Sequence, residues 1–432
     1  MIRIINGDDV ADISSLLKRK QERDDEVQAS VREIVEAVRE RGVAAALEFT
    51  EKFDLAKLTP ETVEITRAEI QEAYDAADPA FVEALKRAAH NIRVYHEKQK
   101  RTTWIDFQCD RAMGQLILPI ERAGIYAPGG RAGYPSTVLM NAIPAKVAGV
   151  DEIIMVTPPG SDGRASYPAS LIAADVAGVD RIFKLGGAQG VAALAYGAGP
   201  VPAVDKIVGP GNVYVQGAKR MVFGQVGLDS VAGPSEILVI ADDTARAEWV
   251  AADLLAQAEH DPDAAAMLVT PSEALAQAVR AAVVEQFAMR KRQEVLRLSL
   301  ANNAAIVIVK DINAALTLSN RVAPEHLELC VADPFALLGK VRNAGAVFLG
   351  HNTPESVGDY YAGPNHVLPT NGTARFFSPL SVDDFLKKSS ILNFSPEALA
   401  ASASDIEILA LTEGLDAHAY AVTVRSSVQR NA

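Results

Sequence analysis

The segment DLLAQAEHDPDA places Gln257, Glu259 and His260 at the end of an apolar-periodic run, with Pro262 just beyond. One helical turn separates Gln257 from His260, so on a helix they share a face. Such a face is either a solvated helix end or a pair of donors aimed at one ligand. The chain holds seven histidines, and three others stand in comparable surroundings. They are His326 in APEHLEL, His366 in GDYYAGPNHVLPT and His418 in TEGLDAHAYAV. Each of the four has a carboxylate within seven residues: Glu259 and Asp261, Glu325, Asp359, and Glu413 with Asp416. Imidazoles and carboxylates gathered from distant segments suit a divalent ion of the zinc type. The alternative is a set of loop histidines hydrogen-bonded to nearby acids. His90, His96 and His351 lack such a setting, and His90 and His96 read as surface or packing residues.

Glu325 and His326 follow Pro324 at a loop-to-strand step. A neutral imidazole accepts a proton at physiological pH, and the adjacent carboxylate offers a second base. A turn glutamate beside a packing histidine fits the same residues. Only two cysteines occur. Cys330, in the apolar run LELCV, reads as buried and inert, and Cys109 has no histidine beside it. A cysteine nucleophile is therefore disfavoured.

Elements must carry these groups. Residues 1–24 are short and charged and read as an arm. Val31, Ile34, Val35, Val38 and Leu47 follow helical spacing, with Gly42 as a stop or bend, and a second helical run covers residues 79–98. From residue 121, short apolar runs alternate with helical patterns: AGIYA, EIIMVT, RIFKLG and KIVG. After a break near Gly233 and Pro234 the alternation resumes with EILVIA, AAMLVT, AAIVIVK, LELCV and GAVFLG. Strand, helix, strand with Gly-marked loops predicts two parallel, doubly wound α/β units, followed by a helical tail from about residue 381. Open α/β sheets bind ligands beyond the carboxyl ends of their strands. The loops YAPGGRAGYPS, KLGGAQG, VGPGNVYV and VAGPSE are assigned to such ends. Glycine there admits close backbone approach, and a helix N-terminus favours an anion. None reads G-x-G-x-x-G or the P-loop pattern, so the loops on their own indicate a phosphate or small polar ligand or ordinary tight turns.

Composition narrows the partners. The 432 residues are 49% hydrophobic and carry a net charge of −13, which opposes a nucleic-acid role. No apolar run reaches the roughly 20 residues of a membrane span. The opening MIRIINGDDV carries acids where a signal peptide carries an apolar core. With no cysteine framework, a soluble cytoplasmic protein is expected.

The chain resembles the histidinol dehydrogenase family over nearly its whole length. The carriers are GIYAPGGRAGYPSTVLMNAIPAKVAGV, KLGGAQGVAALAYG, VDKIVGPGNVYV, GPSEILVIAD, QAEHDP, APEHLEL, GDYYAGPNHVLPT and EGLDAHAYAV, in order. The resemblance implies an α/β fold of two Rossmann-like doubly wound units with small N- and C-terminal extensions. Residues 25–120 and 236–380 would form the unit bearing most metal and catalytic residues, residues 121–235 the NAD-binding unit, and residues 381–432 a tail. It also implies one Zn²⁺ per subunit held by Gln257, His260, Asp359 and His418, and a homodimer in which the tail completes the partner's site. Substrate contacts carried over are Ser235, Gln257, His260, His326, Asp359, Glu413 and His418, with His366 nearby. NAD positions are Tyr126, Gln189 and Asn212.

The implied reaction is L-histidinol + 2 NAD⁺ → L-histidine through bound histidinal, the last two oxidations of histidine biosynthesis. His326 would take the alcohol proton, Glu325 would activate the hydrating water, and His326 would assist the second oxidation. A paralogous zinc and NAD dehydrogenase of another small alcohol, such as a sulfonated diol, shares much of this pattern. Glu413 and the full Gln-His-Asp-His set favour histidinol. A zinc hydrolase using Glu325 would have no use for NAD, and the intact pair Glu325 and His326 argues against a non-catalytic binding protein.

Overall fold

The structure is a computed structural model that describes residues 2–9, 25–129, 133–230 and 233–429. Most of the expected N-terminal arm, residues 10–24, lies outside these. So do residues 130–132 of YAPGGRAGYPS and residues 231 and 232 of VAGPSE. The chain divides into two compact units, one of residues 1–99 and 120–385, the other of residues 100–119 and 386–432.

The first unit is α/β and holds two parallel, Rossmann-like sheets. One orders its strands as Arg181–Lys184, Glu152–Thr157, Arg122–Tyr126, Lys206–Val208 and Gly227–Leu228. The other runs Arg3–Asn6, Ala304–Ile308, Ala265–Thr270, Glu236–Ala241, His326–Cys330 and Ala346–Leu349. In each, the winding starts at an inner strand, Arg122–Tyr126 or Glu236–Ala241, runs outward, then returns to wind the other way, while the N-terminal strand Arg3–Asn6 adds to one edge of the six-stranded sheet. That reversal falls between Arg122–Tyr126 and Lys206–Val208, and between Glu236–Ala241 and His326–Cys330. The strands are near-continuous apolar runs because both faces are covered. Along Glu236–Ala241, Ile237, Val239 and Ala241 enter the core on one face, while Leu238 and Ile240 enter the core on the other.

The helices Asp25–Arg41 and Val43–Asp54 are separated by Gly42, whose φ of +59° suits glycine. Val31, Ile34, Val35 and Val38 pack with Val191, Leu194, Val215 and Val222 in one core. These helices thus cover the five-stranded sheet, whereas the sequence grouped residues 25–120 with the six-stranded half. Their apolar stripe fixes that a face is buried but carries no address for its partner. Arg3–Asn6, placed in the arm, is an edge strand paired in parallel with Ala304–Ile308.

The second unit is an antiparallel sheet with two helices. Arg111–Pro119 pairs on one side with Trp104–Phe107 and on the other with Leu386–Phe394. The helices Pro396–Thr412 and Asp416–Gln429 follow. After a short 3-10 turn at Val382–Phe385, the expected helical tail therefore runs first as the strand Leu386–Phe394, and its helices come only afterwards. Its apolar and polar residues alternate too weakly to announce that strand.

Candidate functional site

Helix Ala247–Ala258 runs back from the carboxyl end of strand Glu236–Ala241, so its last turn arrives at the amino ends of the strands. Gln257 lies in that turn, fully buried. His260 follows just past the Glu259 cap, in the exposed turn. The strand His326–Cys330 begins at the same edge, with His326 its first residue and Glu325 immediately before it. Ala323, at a φ of +55°, ends the preceding helix Ile312–Val322 and turns the chain into that step. Helix Glu355–Tyr360 contributes Glu355 and Asp359, four residues apart and on one face.

Gln257, His260, Glu325, His326, Asp359 and His366 thus converge, although their segments are distant in sequence. His326 Nδ1 lies 3.0 Å from the Glu236 carbonyl oxygen. That bond assigns the proton to Nδ1 and leaves the lone pair on Nε2. His326 Nε2 is buried with no hydrogen-bond partner and faces Asp359 Oδ1 at 3.8 Å. His366 Nδ1 lies 2.9 Å from the Asp359 carbonyl oxygen, and its Nε2 lies 3.2 Å from Thr137 Oγ1. Thr137 belongs to helix Pro135–Ala148 of the other half, so His366 ties the two halves beside the cluster. Glu325 Oε2 accepts the Glu236 backbone N–H at 2.9 Å, and the Ser235 hydroxyl hydrogen-bonds the same carboxyl group.

Burial dominates the electrostatics. It pushes the His326 imidazole down to about 4, so the ring is neutral at physiological pH, although Asp359 opposes the shift. Burial raises Glu325 well above the usual carboxylate range, and the charges of Glu236 and Asp359 add to the effect. Glu355 is raised for the same reasons, with Asp359 and Glu325 as neighbours. So many carboxylates around an imidazole call for a cation, whose charge would reverse these shifts. His260, Glu355 and Asp359 each present a donor atom, all within 4.8 Å of one another. Nitrogen and oxygen donors together with the orphaned His326 Nε2 fit a zinc-type ion. Nothing in the residues around Glu355 marks it as part of a site, apart from the spacing of four to Asp359.

This cluster lies at the amino ends of its sheet. Ser235 precedes strand Glu236–Ala241, so VAGPSE feeds this cluster and not the carboxyl edge of the six-stranded sheet. The other three loops do lie at carboxyl ends, around the reversal of the five-stranded sheet. Tyr126 closes its strand, and its hydroxyl accepts the Gly187 N–H at 3.0 Å. Gln189 Nε2 reaches Asp54 Oδ2 at 3.5 Å. Asn212 caps helix Val213–Val222, its Oδ1 accepting from the Tyr214 and Val215 N–H groups at 3.1 Å each. Gly209, at a φ of +110°, could not carry a side chain, because a Cβ would fall 2.3 Å from the Tyr126 carbonyl oxygen. Glu413 and His418 belong to the second unit, where both are exposed, Glu413 capping helix Pro396–Thr412 and His418 in the first turn of helix Asp416–Gln429. Cys330 is buried and Cys109 exposed.

The comparisons with known proteins agree with one another. A protein described as histidinol dehydrogenase from Heliobacterium mobile is 54% identical over 426 residues, 98% of this chain and 99% of its own length. The counterpart from Syntrophotalea carbinolica is 52% identical, again over 98% of this chain and 99% of its own. The crystal structure of histidinol dehydrogenase from Elizabethkingia anophelis superposes with a TM-score of 0.94 at 36% identity, covering 99% of both chains. The family model described as histidinol dehydrogenase matches residues 17–426. The chain belongs to the histidinol dehydrogenase family, and is an oxidoreductase.

Proposed function

We propose that the protein oxidises L-histidinol through L-histidinal to L-histidine with two NAD⁺, using one zinc ion per subunit. The observation that carries this reading is the neutral, buried His326, whose free Nε2 faces Asp359 beside His260 and Gln257. Gln257, His260 and Asp359 would hold the zinc, with His418 contributed by a second copy of the chain. The ion would bind the imidazole and amine of the substrate and orient it. NAD⁺, the hydride acceptor, is assigned to Tyr126, Gln189 and Asn212.

The chain's own groups handle protons. His326 Nε2 takes the proton of the alcohol, while the Nδ1 contact to the Glu236 carbonyl holds the ring in the required tautomer. The resulting imidazolium is stabilised by Asp359. Glu325, with its elevated proton affinity, takes a proton from the water that hydrates the aldehyde. His326 acts again when the hydrate is oxidised. Ser235, His366 and Glu413 complete the substrate contacts. The half bearing the six-stranded sheet would carry the metal and catalytic residues, and the five-stranded half the cofactor.

The homodimer belongs to the same proposal. The second unit leaves Trp104, Phe107, Leu392, Leu409 and Tyr420 more than half exposed, as expected of a surface that meets a partner. Among the described residues no helix is long and apolar enough to cross a membrane, and we assign the protein to the cytoplasm. Metal removal tests the zinc reading. Chelation should abolish NADH formation and Zn²⁺ restore it, and His260→Ala should lose zinc affinity. Full zinc occupancy of His260→Ala by elemental analysis would remove His260 from the ligand set. A parallel assay with a sulfonated diol distinguishes the paralogous dehydrogenase.

A further inference from the structure

We infer that Glu355 is a positioning residue for the metal site: its buried carboxylate binds the amide nitrogen of Gln257 and so turns the Gln257 oxygen toward the ion. This inference rests on the zinc reading above. A primary amide is a neutral, weak donor, and its two ends are interchangeable in shape. Something must decide which end meets the metal. With its nitrogen turned toward Glu355, the Gln257 amide lies 3.0 Å from Glu355 Oε1 and 3.2 Å from Oε2. In the opposite orientation its oxygen would face both carboxylate oxygens of Glu355, and the same position lies 3.1 Å from His326 Nδ1, whose proton is directed at the Glu236 carbonyl. Gln257 is fully buried and Glu355 is 2% exposed, so water cannot supply the missing donor.

The carboxylate is itself held in place. The Glu355 backbone N–H donates to Glu328 Oε1 at 2.8 Å, which anchors the start of helix Glu355–Tyr360. That helix then sends Asp359 to the cluster one turn later, so one short element bears a ligand and the support of another ligand. Glu355 could instead bind the ion directly, since one of its oxygens lies in the same 4.8 Å group as His260 and Asp359. Both of its oxygens, however, are in reach of the one amide nitrogen. Donation from that N–H to a carboxylate draws electron density onto the amide oxygen and makes it a better ligand. Support of this kind is typically worth ~10–100-fold in metal affinity.

The test compares the full-length protein with Glu355→Gln, Gln257→Glu and the exchange variant carrying both. Zinc dissociation constants are read by chelator competition, and Co²⁺-substituted protein reports ligand geometry by its visible spectrum. Glu355→Gln should bind zinc ~10–100-fold more weakly. In the exchange variant the amide and carboxylate swap places, so the contact survives and zinc binding should recover relative to the single variants, with the Co²⁺ bands close to wild type. Residues in contact are expected to be non-additive in this way. If the two losses simply multiply, or if Glu355→Gln binds zinc as wild type does, the role of Glu355 is overturned. Should a single variant fail to fold, the exchange variant against wild type still decides. An exchange variant with perturbed Co²⁺ bands and weak zinc binding counts against the inference. If wild-type protein binds no zinc at all, the zinc reading itself fails, which is a different result from tight wild-type binding with multiplicative losses.

Discussion

His326 is set up by subtraction. Burial removes its charge, the contact to the Glu236 carbonyl engages Nδ1, and Nε2 is left as the free basic atom. Glu325 is tuned in the opposite direction, toward holding a proton. Two neighbours with displaced proton affinities can divide two steps between them. His326→Asn should therefore slow the oxidation of histidinol and of histidinal alike, by about 10²–10⁴-fold for loss of a general base. Glu325→Gln should impair the histidinal step more than the histidinol step, because only the aldehyde needs an activated water. Separate assays with the two substrates decide this, and equal losses would take the water-activating role from Glu325. Histidines with nearby acids were legible in the sequence, and so was the proline-bounded step at Glu325. Glu355 and Glu236 were not, because their parts depend on which distant segments fold against them.

At the scale of elements, the nine core strands expected from residue 121 onward are present, most within a residue or two of the apolar runs. Both faces of these strands are covered, so apolarity alone announces them. The strands Arg3–Asn6, Trp104–Phe107, Arg111–Pro119, Gly227–Leu228 and Leu386–Phe394 are not announced by such runs. Trp104–Phe107 is exposed along its length and pairs with the adjacent Arg111–Pro119, whereas Leu386–Phe394 meets that strand from far along the chain. The expectation that all Gly-rich loops sit at carboxyl ends fails for VAGPSE, because its Ser235 leads into strand Glu236–Ala241 and so meets the amino edge of that sheet. One element end offers a test by pH. Asp54 closes helix Val43–Asp54, and burial pushes its carboxyl up to about 6. Its unfolded value is near 3.9. A raised carboxyl destabilises the ionised fold, so this cost is absent below about pH 4 and grows as pH rises through about 6. Asp54→Asn should melt with wild type at pH 4 and ~1–2 °C higher at pH 7, a small shift because the group is part-exposed. A gap that is constant across pH would contradict the assignment.

For the whole molecule, Glu413 and His418 sit on a separate unit from His260 and Asp359. If the tail of one chain completes the site of the other, two dead variants should rescue each other. In hybrids of Asp359→Ala with His418→Ala, one site carries both lesions and the other none, so about half of normal activity should return if the sites act independently. Inactive hybrids, verified with differential tags, would mean that each tail serves its own chain. The central claim, a four-electron oxidation within one site, is tested most directly by stoichiometry. Zinc-loaded protein is given limiting L-histidinol and excess NAD⁺, and NADH and histidine are measured at completion. Two NADH and one histidine should form per histidinol, and none after chelation. One NADH per histidinol with free histidinal released, or no NADH at all, would contradict it.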